Sequence, residues 1–195
     1  MSVTGSAESI PSASLGLAVG VFLSSSERLS PVFYAEAERL GRALARAGCS
    51  IVYGGASVGA MGRLADAALL EGGRVVGVIP DYDFALDIDH RGLAEMHRVS
   101  SLHERKAKMD QLSQAFVVFP GGIGTLDELT EVMALTQVGQ NKKPVMLYNF
   151  LNFWDPFLEL LQLLQQQGMI SQPIEQIIQV HQDLDLVVDS LRGKL

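Results

Sequence analysis

The chain has 195 residues, 48% hydrophobic and 19% charged, which fits one globular domain and excludes a disordered tail or a coiled coil. Fifteen Lys and Arg against 22 Asp and Glu leave a net charge of −7, an argument against nucleic-acid or membrane partners, which are held by clustered basic residues. A lone cysteine, Cys49, rules out an internal disulfide and fits a reducing, cytoplasmic compartment.

Residues 1–14 are rich in Ser and carry no Lys or Arg. They read as a flexible tail, without the basic start of a secretory signal, and the domain is expected over residues 15–195. Residues 17–23 form an apolar run, far short of the roughly 20 residues that span a bilayer, and read as the first strand. Phe33, Ala37, Leu40 and Leu44 follow at helical spacing behind Ser30-Pro31, a cap followed by a Pro at the first helical position. Residues 50–53 and 74–79 are further strands, and 95–99 is a shorter candidate. Ser101-x-x-Glu104 is a capping box opening a helix over residues 102–113. Residues 115–119 form the next strand. Thr125-x-x-Glu128 is a second capping box, before a helix over 126–137 with Leu126, Leu129, Met133 and Thr136 on one stripe. Strand 144–148 precedes Asp155-Pro156 and a helix carrying Phe157, Leu161 and Leu164; residues 176–180 are the last strand candidate. The strand runs are nearly continuous rather than alternating, as in a parallel sheet buried on both faces. Strand-then-helix repetition predicts a single-domain α/β fold, doubly wound with helices on both faces. In that architecture ligands bind beyond the carboxyl ends of the strands.

Two strand-to-helix loops there are rich in glycine: Gly54-Gly55-Ala56-Ser57-Val58-Gly59-Ala60-Met61-Gly62 and Pro120-Gly121-Gly122-Ile123-Gly124-Thr125. Glycine lets backbone approach a ligand closely, and a helix N-terminus adds unpaired N–H groups and partial positive charge. A single such loop reads equally well as a tight turn; two at the ligand edge favour a phosphorylated ligand. Neither holds the Lys of a Walker A loop, and Asp127 stands where a dinucleotide fingerprint would need its third Gly.

The segment from Pro120 to Glu128 matches the PGGxGTxxE signature of the LOG (Lonely Guy) family, the cytokinin riboside 5′-monophosphate phosphoribohydrolases. Leu102-His103-Glu104-Arg105-Lys106-Ala107-Lys108-Met109 resembles that family's MHxRKxxM segment, and residues 53–62 resemble its GGGSxGLMG loop. The resemblance implies a Rossmann-like homodimer that cleaves the N-glycosidic bond of adenosine-type 5′-monophosphates, without a cofactor, to free base and ribose 5-phosphate. It implies Arg105 and Glu128 as catalytic residues. It also implies substrate contacts along Gly121, Gly122, Ile123, Gly124, Thr125, Leu126 and Asp127, with the 5′-phosphate at residues 121–125. Members are often labelled lysine decarboxylases; nothing in the sequence supports a pyridoxal-phosphate lysine.

The residues carry readings of their own. Glu128 can close a capping box with Thr125, or it can stabilise an oxocarbenium-like state and activate water. Arg105 shares a helical stripe with Leu102, Met109 and Leu112, where a cation is costly unless paired; its partner is a carboxylate or an oxygen of the substrate. Lys106 is a phosphate contact or a surface partner of Asp110. Asp87 aligns with a substrate-contacting Glu of the family, and Ser25, Gly54 and Gly55 stand at the ligand edge. The histidines show no metal-ligand spacing, and no metal is expected. Ala134-Leu135-Thr136-Gln137 replaces the family's usual Thr-Trp-Ala-Gln, a change expected near the base. Three functions follow: a phosphoribohydrolase acting on N6-modified nucleotides, a general AMP nucleosidase, or a non-catalytic nucleotide or cofactor carrier.

Overall fold

Each apolar run read as a strand enters one seven-stranded parallel sheet in a computed structural model, which describes residues 16–82 and 88–192. The expected tail over residues 1–14 and the candidate Asp87 lie outside the described residues. The strands are Ala18–Phe22 (β1), Ser50–Tyr53 (β2), Val75–Pro80 (β3), Glu95–Val99 (β4), Ala115–Val118 (β5), Val145–Tyr148 (β6) and Gln179–His181 (β7). The helices that matter below are Pro31–Arg46 (α1), Gly59–Leu70 (α2), Leu102–Leu112 (α3), Ile123–Gln137 (α4), Asp155–Gln166 (α5), the short Ile174–Ile177 (α6) and Leu184–Arg192 (α7).

The strand order is β4-β3-β2-β1-β5-β6-β7, with every pair parallel. The chain therefore builds outward from β1 in one direction and then returns to build from β5 in the other. A crevice opens at such a reversal. Side chains alternate along β1. Val19, Val21 and Leu23 enter one core with α1, α2 and α7, while Phe22 enters a second core with α3, α4, α5 and α6. Both faces are thus covered, which explains why the strands read as continuous apolar runs.

Three local expectations need correction. The last strand starts at Gln179 rather than 176, because Ile174 and Ile177 form one buried helical turn behind Pro173. Helix α5 begins at Asp155 itself, whose carboxylate accepts from Asn149 Nδ2 at 2.7 Å. Helix α4 begins at Ile123 with Gly122 at the cap position, two residues before Thr125, so no capping box joins Thr125 to Glu128. By contrast, Ser101 Oγ accepts from the Glu104 N–H at 3.1 Å, and Glu104 accepts in return from the Ser100 N–H at 2.8 Å.

Candidate active site

A cavity of about 380 Å³ lies at the β1–β5 reversal, within the usual size range of small-molecule sites. Ser24, Ser25 and Ser26 after β1, Gly54 and Ala56 after β2, Ile79 and Pro80 at the end of β3, and residues 122–125 after β5 all line it.

Helix α4 enters with its N-terminus. Its first backbone bond runs from the Leu126 N–H to the Gly122 carbonyl at 3.0 Å. The N–H groups of Ile123, Gly124 and Thr125 thus have no partner inside the helix. All three residues line the cavity, and Ile123 and Gly124 are exposed. Thr125 Oγ1 is buried among them without a hydrogen-bond partner. A Cβ on Gly121 would lie 2.1 Å from that oxygen, so glycine at 121 is what lets the hydroxyl sit there. A buried hydroxyl left unpaired is costly, and here it sits beside three open N–H groups, as an anion site requires.

Glu128 lies nearly one turn further along α4, on the same face as Thr125. Its side chain is 3% exposed and lines the cavity. Arg105 arrives from α3, 11% exposed, with Nη2 2.9 Å from Glu128 Oε1. Glu128 Oε1 lies buried without a well-aligned hydrogen bond, so charge attraction dominates the pair. Arg105 Nε donates to the Val78 carbonyl at 3.1 Å, and a Cβ on Gly54 would lie 2.2 Å from Nη2. The guanidinium is therefore held by β3 and passes over the β2 loop only because residue 54 is glycine. Gly55 turns that loop with φ +79°. Burial pushes the Glu128 carboxyl up to about 7, with Asp127 adding to the rise and Arg105 and Lys106 opposing it. Such a group exchanges protons near neutral pH, the condition for acid–base work.

The other candidates separate. Ser25, Gly54, Gly122, Ile123, Gly124 and Thr125 line the cavity. Gly55, Gly121, Leu126 and Asp127 do not; the glycines shape its loops from behind. Lys106 lies off the cavity. It binds Asp127 at 2.9 Å and also Glu131, while Asp110, its expected surface partner, binds Lys143 at 2.8 Å. Residues 134–137 do not line this cavity: Thr136 accepts a hydrogen bond from Asn141, and Leu135 packs near Lys106. His103 is exposed, and His90 is buried against Asp66 at 3.1 Å. Among the described residues no three His, Cys, Asp or Glu side chains are grouped to hold a metal ion.

The sequence reading missed the apolar wall of Leu23, Met61, Ile79, Pro80, Ile88 and Leu102. Leu102 was legible, three residues before Arg105 on its stripe. Ile88 was not, because it reaches the wall through a tertiary bridge: its carbonyl accepts from the Ser57 N–H at 2.7 Å and from Ser57 Oγ at 3.0 Å. One wall thus presents open N–H groups, hydroxyls and a cation, and the other is apolar. A ligand with an anionic group and a flat apolar part matches both, and a buried carboxylate lies where a developing positive charge can be stabilised.

A family model described as "Possible lysine decarboxylase" matches residues 61–191. A cytokinin riboside 5′-monophosphate phosphoribohydrolase of Rhodococcoides fascians is 40% identical over 158 residues, 80% of each chain. One from Oryza sativa subsp. japonica is 43% identical over 143 residues, covering 73% of this chain and 59% of that one. Among solved structures, the molybdenum cofactor binding protein of Rippkaea orientalis superposes with a TM-score of 0.68 at 19% identity, over 92% of this chain and 97% of that one. The Moco carrier protein of Chlamydomonas reinhardtii gives 0.67 at 22% identity, over 92% and 99%. These two likenesses establish the shared fold.

Proposed function

We propose that this chain, which belongs to the possible lysine decarboxylase family that includes the LOG phosphoribohydrolases, hydrolyses the N-glycosidic bond of adenosine-type nucleoside 5′-monophosphates, N6-modified ones included. The products are the free base and ribose 5-phosphate. The observation that carries this reading is the buried Arg105–Glu128 pair beside the unpaired N–H groups and the orphan hydroxyl of Thr125. The family's descriptive label fits the site poorly. No lysine lines the cavity among the described residues, and pyridoxal-phosphate chemistry needs a lysine amine for its imine.

In this reading the 5′-phosphate sits on the N–H groups of Ile123, Gly124 and Thr125 and takes the Thr125 hydroxyl. Arg105 binds an oxygen of the sugar phosphate through its free N–H groups. The base lies against the apolar wall. As the C1′–N bond breaks, the bonding pair leaves with the base and positive charge grows on the ribose. The Glu128 carboxylate stabilises that charge and takes a proton from the water that attacks C1′, while the departing base nitrogen takes up a proton from solvent, which completes the free base. Arg105, permanently charged, binds rather than donates a proton.

The reading extends to the assembly and its setting. On the motif helices Leu102 is 50% exposed and Ile123 82%, and Val138 just beyond α4 is 68% exposed; a second copy of the chain covers them in a homodimer. A cytoplasmic setting suits Cys49, buried with its thiol pushed up to about 11 by desolvation, and among the described residues no helix is long and apolar enough to cross a membrane.

Incubation with AMP and with isopentenyladenosine monophosphate, followed by chromatography, tests the activity. Free base and ribose 5-phosphate from either support it, and their ratio separates a cytokinin-directed enzyme from a general AMP nucleosidase. Tight binding of both without cleavage favours a carrier.

A further inference from the structure

Lys106 sits beside the catalytic pair yet faces away from the cavity. Consecutive helix positions point about 100° apart, so when Arg105 turns into the cavity, Lys106 turns into the seam between α3 and α4. On α4, Asp127 and Glu131 are four residues apart and share a face, while Glu128 points round toward the cavity. Two rungs result: Arg105 meets Glu128, and Lys106 meets both Asp127 and Glu131. We propose that Lys106 is a positioning residue for Glu128, binding the two flanking carboxylates so that Arg105 alone faces the catalytic one; this rests on the catalytic reading of Glu128 above.

Three acids in the first nine residues of α4 are at odds with a phosphate site at its start, since each repels the anion. Lys106 removes the conflict at its source. Its side chain is only 14% exposed. Burial alone would lower its ammonium, and the bonds to Glu131 and Asp127 more than reverse that. Behind Glu128 lies a space of about 10 Å³ between Lys106, Glu131 and the rings of Phe22 and Phe116, room for about one water. Charges across so small a gap are weakly screened, so Glu128 feels Lys106 from behind, more weakly than it feels Arg105 from in front. On its own helix Asp127 also bears on Glu128, and Glu131 borders the same space. Asp110 of α3 borders the same space, but its carboxylate is bound by Lys143.

The test is the pH profile of AMP cleavage by wild type, Lys106→Met and Lys106→Arg, with the Glu128 carboxyl titrated by ¹³C NMR in the same proteins. Lys106→Met both removes a cation and frees two anions, so Glu128 holds its proton to higher pH. An upward move of one pH unit makes kcat/KM about tenfold lower on the acid side, with recovery toward pH 9. Lys106→Arg restores the wild-type profile. A uniform loss at every pH, with the acid limb unmoved, makes Lys106 merely structural and overturns the proposal. A raised KM with an unmoved limb makes it a phosphate ligand and also overturns it. Should Lys106→Met not fold, Lys106→Gln, which keeps a polar head on a shorter stem, carries the same test: the limb and the NMR titration must move to higher pH, and an unmoved titration refutes the idea. Absence of AMP cleavage by the wild type would refute the functional reading, while the NMR titrations still decide the role of Lys106.

Discussion

Replacing Glu128 by Gln separates chemistry from support, because the amide keeps the size of the side chain and no capping box depends on the acid: α4 starts at Ile123 and is capped at Gly122. Loss of a preorganised charge opposite a developing cation commonly costs about 10²–10³ in turnover. A second consequence follows from burial. The carboxyl is shifted from its ordinary 4.5 up to about 7, so between those values the folded protein holds a proton that the unfolded chain releases. Stability must then fall as pH rises through that window, at up to about 1.4 kcal/mol per pH unit, or about 3 kcal/mol in all. The Gln variant lacks this slope. Urea denaturation of both proteins at pH 5 and pH 8 reads it: wild type loses stability relative to Glu128→Gln on going to pH 8. Calorimetry of AMP binding and chromatography of products complete the assay. Near-wild-type turnover by the variant, or parallel stability in the two proteins, would refute the assignment of Glu128 as a buried, proton-exchanging catalyst.

Adenosine is expected to be a poor substrate beside AMP, since each lost charge-assisted contact costs about 1.5–3 kcal/mol; equal turnover in a competition assay would overturn the phosphate cradle. Thr125→Val removes an unpaired buried hydroxyl, so the free protein melts higher by the equivalent of about 1 kcal/mol while calorimetry shows weaker AMP binding. Gly54→Ala drives a methyl to within 2.2 Å of Arg105 Nη2; cleavage of AMP drops by at least tenfold while circular dichroism stays unchanged. Light scattering at micromolar concentration gives the mass of two chains, and Leu102→Glu with Ile123→Glu reduces it to one.

The sequence alone determined the strands and most helices, because burial on both faces forces continuous apolar runs and the helices between them keep one apolar stripe. It also singled out Arg105 and Glu128: the first as a cation on an apolar stripe, the second as an acid in a glycine-rich motif. Local patterns failed where two local roles competed. Thr125 and Glu128 satisfy the spacing of a capping box, yet the backbone already runs helically from Ile123, and both side chains turn inward instead. Lys106 carries the same ambiguity. Spacing offered it Asp110 or a phosphate, and only the packing of α3 against α4 gave it Asp127 and Glu131. The apolar wall was beyond reach for a related reason. Its residues come from the ends of β1 and β3, from the first turns of α2 and α3 and from Ile88, and what unites them is the order of strands around β1. A periodic pattern records which face of an element is buried; it does not record which elements share a crevice, and that is where the chemistry of this chain is assembled.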